Sequence, residues 1–231
     1  MAVNIEAYDQ LKEELGKKQV TLVAVSKTKP LEDILELYQL GQRDFGENYV
    51  QELADKAAKL PADIRWHFIG HLQTNKVKYI APFVQLIQGV DSPKLLNEIS
   101  KQALKCNRII DCLLQVYIAE EESKFGLDEK ELDDLLSRLN ELKGVRICGL
   151  MGMASFTTDM DKVRKEFQHL RKIFDRYSRI STSTQNFTIL SMGMSSDYKV
   201  AVEEGSNLVR IGSLLFGERV KLNPDGGSIY E

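Results

Sequence analysis

The 231-residue sequence predicts an α/β protein, a single (β/α)8 TIM barrel with an extra helix at its amino terminus. Short apolar runs rich in β-branched residues alternate with longer segments of helical period along the chain. Eight such units fit the size of one barrel, which typically has about 250 residues. No linker or low-complexity stretch divides the chain, so we expect one domain over residues 1–231.

The elements follow in a regular order after an amphipathic opening helix at Ile5–Leu15. The predicted strands are Val20–Val25, Arg43–Gly46, Arg65–Gly70, Val84–Val90, Asp111–Ile118, Arg146–Met151, Phe187–Ser191 and Asn207–Ile211. The predicted helices are Leu31–Leu40, Tyr49–Leu60, Thr74–Ile80, Pro93–Cys106, Glu129–Leu142, Met160–Tyr177, Asp197–Glu204 and Leu214–Arg219. Capping residues such as Ser92 before Pro93 support the helix starts, and the Gly-rich tail after Arg219 is expected to fray.

An open doubly wound sheet is the main alternative fold. It should carry a Gly-rich phosphate-binding turn after its first strand, yet the segment Val25–Pro30 contains no glycine. The absence of that turn favours the barrel.

Composition and charge exclude several classes of protein. The sequence has 31 basic and 34 acidic residues, a net charge of −3 with no long block of one sign, so we expect neither nucleic acid nor a membrane as partner. Cys106, Cys112 and Cys148 are odd in number and lack C-x-x-C spacing, which indicates free thiols in a reducing cytoplasm. Acidic residues in the opening helix replace the apolar segment of a signal peptide.

One short segment occurs twice. Met151-Gly152-Met153-Ala154-Ser155 recurs as Met192-Gly193-Met194-Ser195-Ser196, each time at the end of an apolar run. A glycine repeated at equivalent strand ends suggests that the backbone there approaches a ligand. Methionine packing in the core is the alternative explanation.

The loops after the seventh and eighth strands are the usual phosphate site of a barrel. They contain Gly193, Met194, Ser195 and Ser196 in one loop and the pair Gly212-Ser213 in the other. Small residues let hydroxyl groups and backbone N–H groups converge on an anion beside a helix amino terminus. Simple helix capping by serine and glycine explains the same residues equally well.

Lys27 follows the first strand and would place its amine at the same mouth of the barrel. A lysine there is either a solvated surface cation or a desolvated amine, and the latter can form a Schiff base with an aldehyde. An amine beside a phosphate site suggests pyridoxal phosphate (PLP) as cofactor.

Arg210 is the only charge within the last strand. If its guanidinium points into the barrel it needs an acceptor, and it could donate to the pyridine nitrogen of the cofactor. That nitrogen would then stay unprotonated, and the cofactor would be a weaker electron sink. An outward side chain lying between helices is the alternative.

Two further groups are less informative. His67 and His71 have H-x-x-x-H spacing, but residues four apart in a strand are roughly 13 Å apart and cannot share a metal ion. We therefore expect no metal site. Asn48 follows the second strand, where it could contact the ligand or, more economically, cap the next helix.

Long motifs across nearly the whole chain resemble the YggS/PROSC family of pyridoxal phosphate homeostasis proteins. They are Val25–Lys27, Phe45–Glu52, Trp66–Lys76, Gly149–Met151, Leu190–Ser195, Val209–Gly212 and Phe216–Arg219. The resemblance implies a barrel similar to the alanine racemase N-terminal domain, the type III fold of PLP proteins. Tyr117 and Ser213 depart from the family, which usually has asparagine and threonine at these positions.

The resemblance also implies roles for individual residues. PLP would be in Schiff-base linkage to Lys27, with Arg210 near its pyridine nitrogen and Asn48 close to its ring. The phosphate would be held by Ser195, Gly212 and Ser213.

The function implied by the family is vitamin B6 balance without established catalysis. We expect a monomer that holds PLP and buffers it or releases it to PLP-dependent apoenzymes. Alanine racemase completes its catalytic site with a second domain and a partner subunit, whereas we expect a single domain in this sequence. A single-domain PLP-dependent amino-acid racemase is the alternative, and a phosphosugar aldolase-type barrel is the third possibility.

Overall fold

Eight parallel strands close a barrel in the computed structural model, which describes residues 3–119, 126–137, 142–178 and 187–217 together with strands at 220–222 and 228–230. The strands are β1 (Thr21–Val25), β2 (Asp44–Glu47), β3 (Arg65–Phe68), β4 (Leu86–Val90), β5 (Ile110–Gln115), β6 (Val145–Met151), β7 (Ile189–Met194) and β8 (Leu208–Ile211). They follow one another in chain order, and β1 pairs with both β2 and β8. The predicted barrel is confirmed, because an open sheet would leave β1 and β8 unpaired with each other.

The helices surround the barrel and agree with the prediction to within a few residues. They are α1 (Ile5–Lys17), α2 (Leu31–Gln39), α3 (Val50–Ala57), α4 (Val77–Ile80), α5 (Pro93–Lys105), α6 (Glu129–Ser137), α7 (Met160–Ser178), α8 (Tyr198–Glu203) and α9 (Ser213–Phe216). The extra helix α1 is capped by Asn4, whose side chain accepts from the N–H of Ala7. Residues 138–141 of the predicted helix Glu129–Leu142 lie outside the described residues.

The core has two parts. The larger one fills the space between strands and helices, and a smaller apolar cluster fills the barrel interior with Val23, Leu86, Leu113, Cys148, Met151 and Leu208. The interior also holds buried polar side chains, including Gln88, Ser191 and Arg210. Burying a polar group costs free energy unless it is hydrogen-bonded, so we expect these three side chains to have hydrogen-bond partners inside the barrel.

The repeated Met-Gly-Met segments are not equivalent in the structure. β6 ends at Met151, whereas β7 continues to Met194, three residues beyond the predicted end. A Cβ on Gly152 would lie 2.6 Å from Leu170 Cδ2, and one on Gly193, whose φ is +95°, would lie 2.6 Å from Ala201 Cβ. Both glycines therefore make room for packed helices, which accounts for the close approach, whereas the approach of a ligand to these strand ends stays a prediction.

The tail also differs from the prediction. Strand β9 (Val220–Leu222) pairs antiparallel with β10 (Ser228–Tyr230), so these two segments are not frayed, whereas residues 223–227 of the predicted frayed tail lie outside the described residues. Within the described residues, no helix combines the length and apolar character that crossing a membrane requires.

Candidate cofactor site at the carboxyl end of the barrel

The predicted site residues gather at one end of the barrel. Lys27 lies two residues beyond β1, whereas Asn48, Ser195 and Gly212 directly follow β2, β7 and β8. Because all eight strands are parallel, these positions share the carboxyl-end rim. Ser195 and Gly212 are in direct contact, since the Gly212 N–H donates to Ser195 Oγ at 3.2 Å. Ser213 comes next, exposed in the first turn of α9.

Two lysines lie in the turn after β1, and the structure gives them different environments. Lys27 is half-buried in the turn after β1. The amine of Lys29 donates to the carbonyl oxygens of Phe216 at 2.7 Å and Gly217 at 3.4 Å. Lys29 thus fastens the turn to the segment after α9.

Asn48 does not cap the next helix, so the more economical of its two predicted roles was wrong. Helix α3 begins at Val50, so its N-cap residue is Tyr49 and not Asn48. Tyr49 makes no side-chain capping bond. Asn48 Oδ1 is buried and has no hydrogen-bond partner among the described residues. A buried acceptor without a donor is unusual in native proteins, and at this rim the donor of a ligand would satisfy it.

Arg210 points into the barrel, as the first of its two alternatives predicted. Its side chain is buried, with Nη1 donating to Ser191 Oγ and Nη2 donating to the Gly152 carbonyl at 3.0 Å. Burial lowers the pKa of Arg210 to about 10, against the opposing effect of the Asp197 carboxylate. The guanidinium is therefore a fixed cation at neutral pH.

A chain of hydrogen bonds continues from Arg210 through the barrel interior. Ser191 Oγ donates to Gln88 Oε1 at 2.7 Å, and Gln88 Nε2 lies 3.0 Å from His67 Nδ1. His67 Nε2 in turn lies 3.0 Å from Asp44 Oδ1. With Gln88 Oε1 accepting from Ser191, the Gln88 Nε2 donates to His67 Nδ1, and His67 Nε2 is left to donate to Asp44. We refer to these five residues as the interior relay.

The carboxylate at the far end of the interior relay is stabilised separately. Burial alone would raise the pKa of Asp44, but hydrogen bonds from Arg65 and His67 lower it to about 2. The relay thus runs from a cation near the rim to an anion at the start of β2. The three central members were not predicted as a group, since His67 was considered only as a metal ligand and Gln88 and Ser191 are single polar residues within apolar strands.

The second histidine of the H-x-x-x-H motif has a different environment. His71 lies three residues beyond β3, and its Nδ1 is 2.9 Å from Asp91 Oδ2, directly after β4. The Asp91 side chain is 10% exposed and that of His71 46% exposed. A buried carboxylate that orients a histidine is a common acid–base arrangement. Within the described ranges, no cluster of three or more metal-ligating side chains occurs.

The rim groups have complementary chemistry. Lys27 supplies an amine, Ser195 and Gly212 supply hydroxyl and N–H groups, and Asn48 supplies an unpartnered acceptor. Arg210 adds a buried donor directed by two fixed contacts. Such a set suits a ligand that carries an aldehyde, an anionic group and a ring nitrogen.

Comparison with known proteins identifies the family. The family model for the alanine racemase N-terminal domain matches residues 5–220. The pyridoxal phosphate homeostasis protein of Aquifex aeolicus is 43% identical over 88% of this chain and 89% of its own length. The human protein of that name is 39% identical over 87% of this chain and 77% of its own length.

Solved structures agree. PipY of Synechococcus elongatus PCC7942, determined with PLP bound, superimposes with a TM-score of 0.84 at 36% identity, over 92% of this chain and 99% of PipY. Alanine racemase from Streptomyces coelicolor A3(2) shares the fold. It superimposes with a TM-score of 0.73 at 14% identity, over 98% of this chain and 61% of the racemase chain. The chain belongs to the family of pyridoxal phosphate homeostasis proteins, whose barrel is that of the alanine racemase N-terminal domain.

Proposed function

We propose that this protein binds pyridoxal 5′-phosphate at the carboxyl-end rim and acts in intracellular vitamin B6 homeostasis. One observation carries the proposal, namely that the half-buried Lys27, the unpartnered Asn48 and the Ser195–Gly212 pair occur together on one rim. The names of the relatives and the PLP bound to PipY support the same assignment.

Each rim residue has a proposed role. The amine of Lys27 condenses with the cofactor aldehyde, forming a C=N bond while the carbonyl oxygen leaves as water. Ser195, Gly212 and Ser213 hold the phosphate through hydroxyl and backbone N–H groups. Arg210 directs a donor toward the pyridine nitrogen, and Asn48 lies near the ring.

We infer that the protein carries PLP rather than turning over a substrate. Bound PLP supplies an electron sink, and the Arg210 cation weakens it by keeping the pyridine nitrogen unprotonated. The names of the relatives, homeostasis proteins, agree with this inference. We further propose that the chain acts as one barrel domain, a cytoplasmic monomer with PLP-dependent apoenzymes as recipients.

A transfer experiment tests this function. PLP-loaded protein is mixed with an apo-aminotransferase, and recovery of aminotransferase activity is followed against free PLP at the same total concentration. Carriage predicts that recovery from the loaded protein depends on the concentration of that protein. Loss of that dependence in Lys27→Ala would agree with covalent holding, whereas recovery explained by free PLP alone would contradict carriage.

The racemase alternative is supported by one feature of the rim, the His71–Asp91 pair, which could move a proton. Exchange of the Cα proton of alanine with solvent deuterium discriminates between the two functions. Exchange by the loaded protein at about 1 to 10³ per second, the range of ordinary enzymes, would favour the racemase. Cofactor transfer without such exchange would favour carriage.

A further inference from the structure

A buried charged cluster holds the residue that precedes Lys27. Ser26 Oγ donates to Glu47 Oε1 at 2.6 Å, and the Lys56 amine donates to the Ser26 carbonyl oxygen at 2.7 Å. Lys56 also forms an ion pair with Glu47 at 2.7 Å. Glu47 is fully buried and Lys56 is 5% exposed, so solvent screens these contacts little.

The same cluster holds the residue that follows Lys27. The backbone N–H of Thr28 donates to Glu52 Oε1 at 2.6 Å, and this oxygen also accepts from the Lys56 amine at 2.7 Å. Lys56 therefore joins the carboxylate that holds Ser26 to the carboxylate that holds Thr28. We call Glu47, Glu52 and Lys56 the turn clamp.

The turn between these two contacts has an unfavourable backbone. The N–H of Lys29 donates to the Ser26 carbonyl at 3.0 Å, which closes a four-residue turn with Lys27 and Thr28 in its middle. Thr28 has φ of +63°, a left-handed conformation that favours glycine and disfavours β-branched residues. Such a conformation persists only where the surroundings enforce it, and Glu52 binds the backbone of this very residue.

We propose that Glu52, anchored by Lys56 and Glu47, is a positioning residue that keeps the turn in this conformation and thereby directs the Lys27 amine to the rim. The inference rests on the proposed function, because it concerns the lysine that would take the cofactor. The turn clamp acts on the chain before any cofactor arrives. Its loss should therefore slow covalent capture of PLP without removing the contacts that hold phosphate and ring.

Three variants on helix α3 test the proposal. Glu52→Ala removes the acceptor of the Thr28 N–H, whereas Glu52→Gln keeps a side-chain oxygen in place. Asp55→Ala is the matched control, because Asp55 lies on the same helix and bonds to Gln51 at its surface. The Glu52 side chain is 23% exposed, so the fold should tolerate all three changes.

Two measurements on each variant separate positioning from a general loss of structure. The first is the rate at which PLP becomes attached to Lys27, trapped with borohydride. The second is the affinity for pyridoxine 5′-phosphate, which has the ring and phosphate but no aldehyde. We expect Glu52→Ala to slow capture by about tenfold or more with nearly unchanged pyridoxine phosphate affinity, while Glu52→Gln and Asp55→Ala stay close to the parent protein.

Hydrogen exchange of the Thr28 amide in the cofactor-free protein reports the clamp directly. Exchange should be faster in Glu52→Ala than in Asp55→Ala. Unchanged exchange, unchanged capture, or equal losses of capture and pyridoxine phosphate affinity would each overturn the positioning role. If the parent protein forms no adduct on Lys27, the proposed function fails instead, and the exchange result still decides whether the clamp holds the turn.

Discussion

Replacing Ser191 by alanine removes the hydroxyl that joins Arg210 to Gln88 in the interior relay. Ser191 and Gln88 are fully buried, and Arg210 is 4% exposed, so water cannot readily replace the lost contacts. The variant leaves one N–H of a cation and one amide oxygen without partners. The change in shape is small, because a single oxygen atom is deleted.

The expected cost follows from these two contacts. A hydrogen bond to a charged group contributes about 1.5–3 kcal/mol, and an orphaned neutral acceptor costs about 1–3 kcal/mol. Allowing for relaxation, we expect Ser191→Ala to lower the free energy of unfolding by about 3–5 kcal/mol. For a domain of this size the melting temperature would fall by about 6–20 °C.

Ser100→Ala is the control. Ser100 is also buried, but its hydroxyl accepts one bond from the neutral Gly144 N–H at 3.1 Å, so its loss should cost about 1–2 kcal/mol. Urea unfolding of both variants without cofactor, followed by circular dichroism and by fluorescence of the single tryptophan, Trp66, gives the comparison. A loss in Ser191→Ala no larger than that in Ser100→Ala would refute the reasoning about the relay.

Three more predictions concern the site and the barrel. Ser195→Ala should weaken PLP binding roughly tenfold and leave the affinity for pyridoxal, which lacks phosphate, unchanged in titrations; equal losses would place the anion elsewhere. The pKa of Asp44 is lowered from 3.8 to about 2, so its stabilisation of about 2 kcal/mol is present above pH 4 and lost as pH falls toward 2. Asp44→Asn should remove that part of the acid unfolding profile, and an unaltered profile would contradict the assignment. Gly149→Ala should lower the free energy of unfolding by about 4 kcal/mol or more, because φ is +151° and a Cβ would lie 1.8 Å from the Ile189 carbonyl oxygen. Thermal unfolding measures this change, and a loss under about 1 kcal/mol would contradict the prediction.

The barrel was predictable from the sequence because parallel strands covered on both faces appear as continuous apolar β-branched runs. Arg210 was also recognisable, since a charge within such a run must find an acceptor or turn outward. Gln88 and Ser191 were not identified, and His67 was considered only as a metal ligand, because single polar residues are common in strands. Their contacts depend on barrel closure, which brings β3, β4 and β7 together across the interior.

Other details depended on tertiary packing that local patterns do not define. The glycines at 152 and 193 were correctly associated with close approach, but sequence does not reveal that the approaching atoms belong to Leu170 and Ala201. Asn48 has the residue type of a helix cap, yet α3 begins at Val50, which makes Tyr49 the N-cap residue. The spacing of Glu52 and Lys56 is visible as a helical ion pair, whereas their contacts with the turn around Lys27 are not.

Covalent attachment of PLP to Lys27 is the central claim, and borohydride reduction followed by peptide mass mapping tests it most directly. Reduction converts a Schiff base into a stable secondary amine, so the modified lysine can be located after proteolysis. The account predicts a single pyridoxyl phosphate adduct on the peptide containing Lys27, lost in Lys27→Ala. An adduct on Lys29 or Lys76 in place of Lys27, or no adduct in protein that retains PLP, would contradict it.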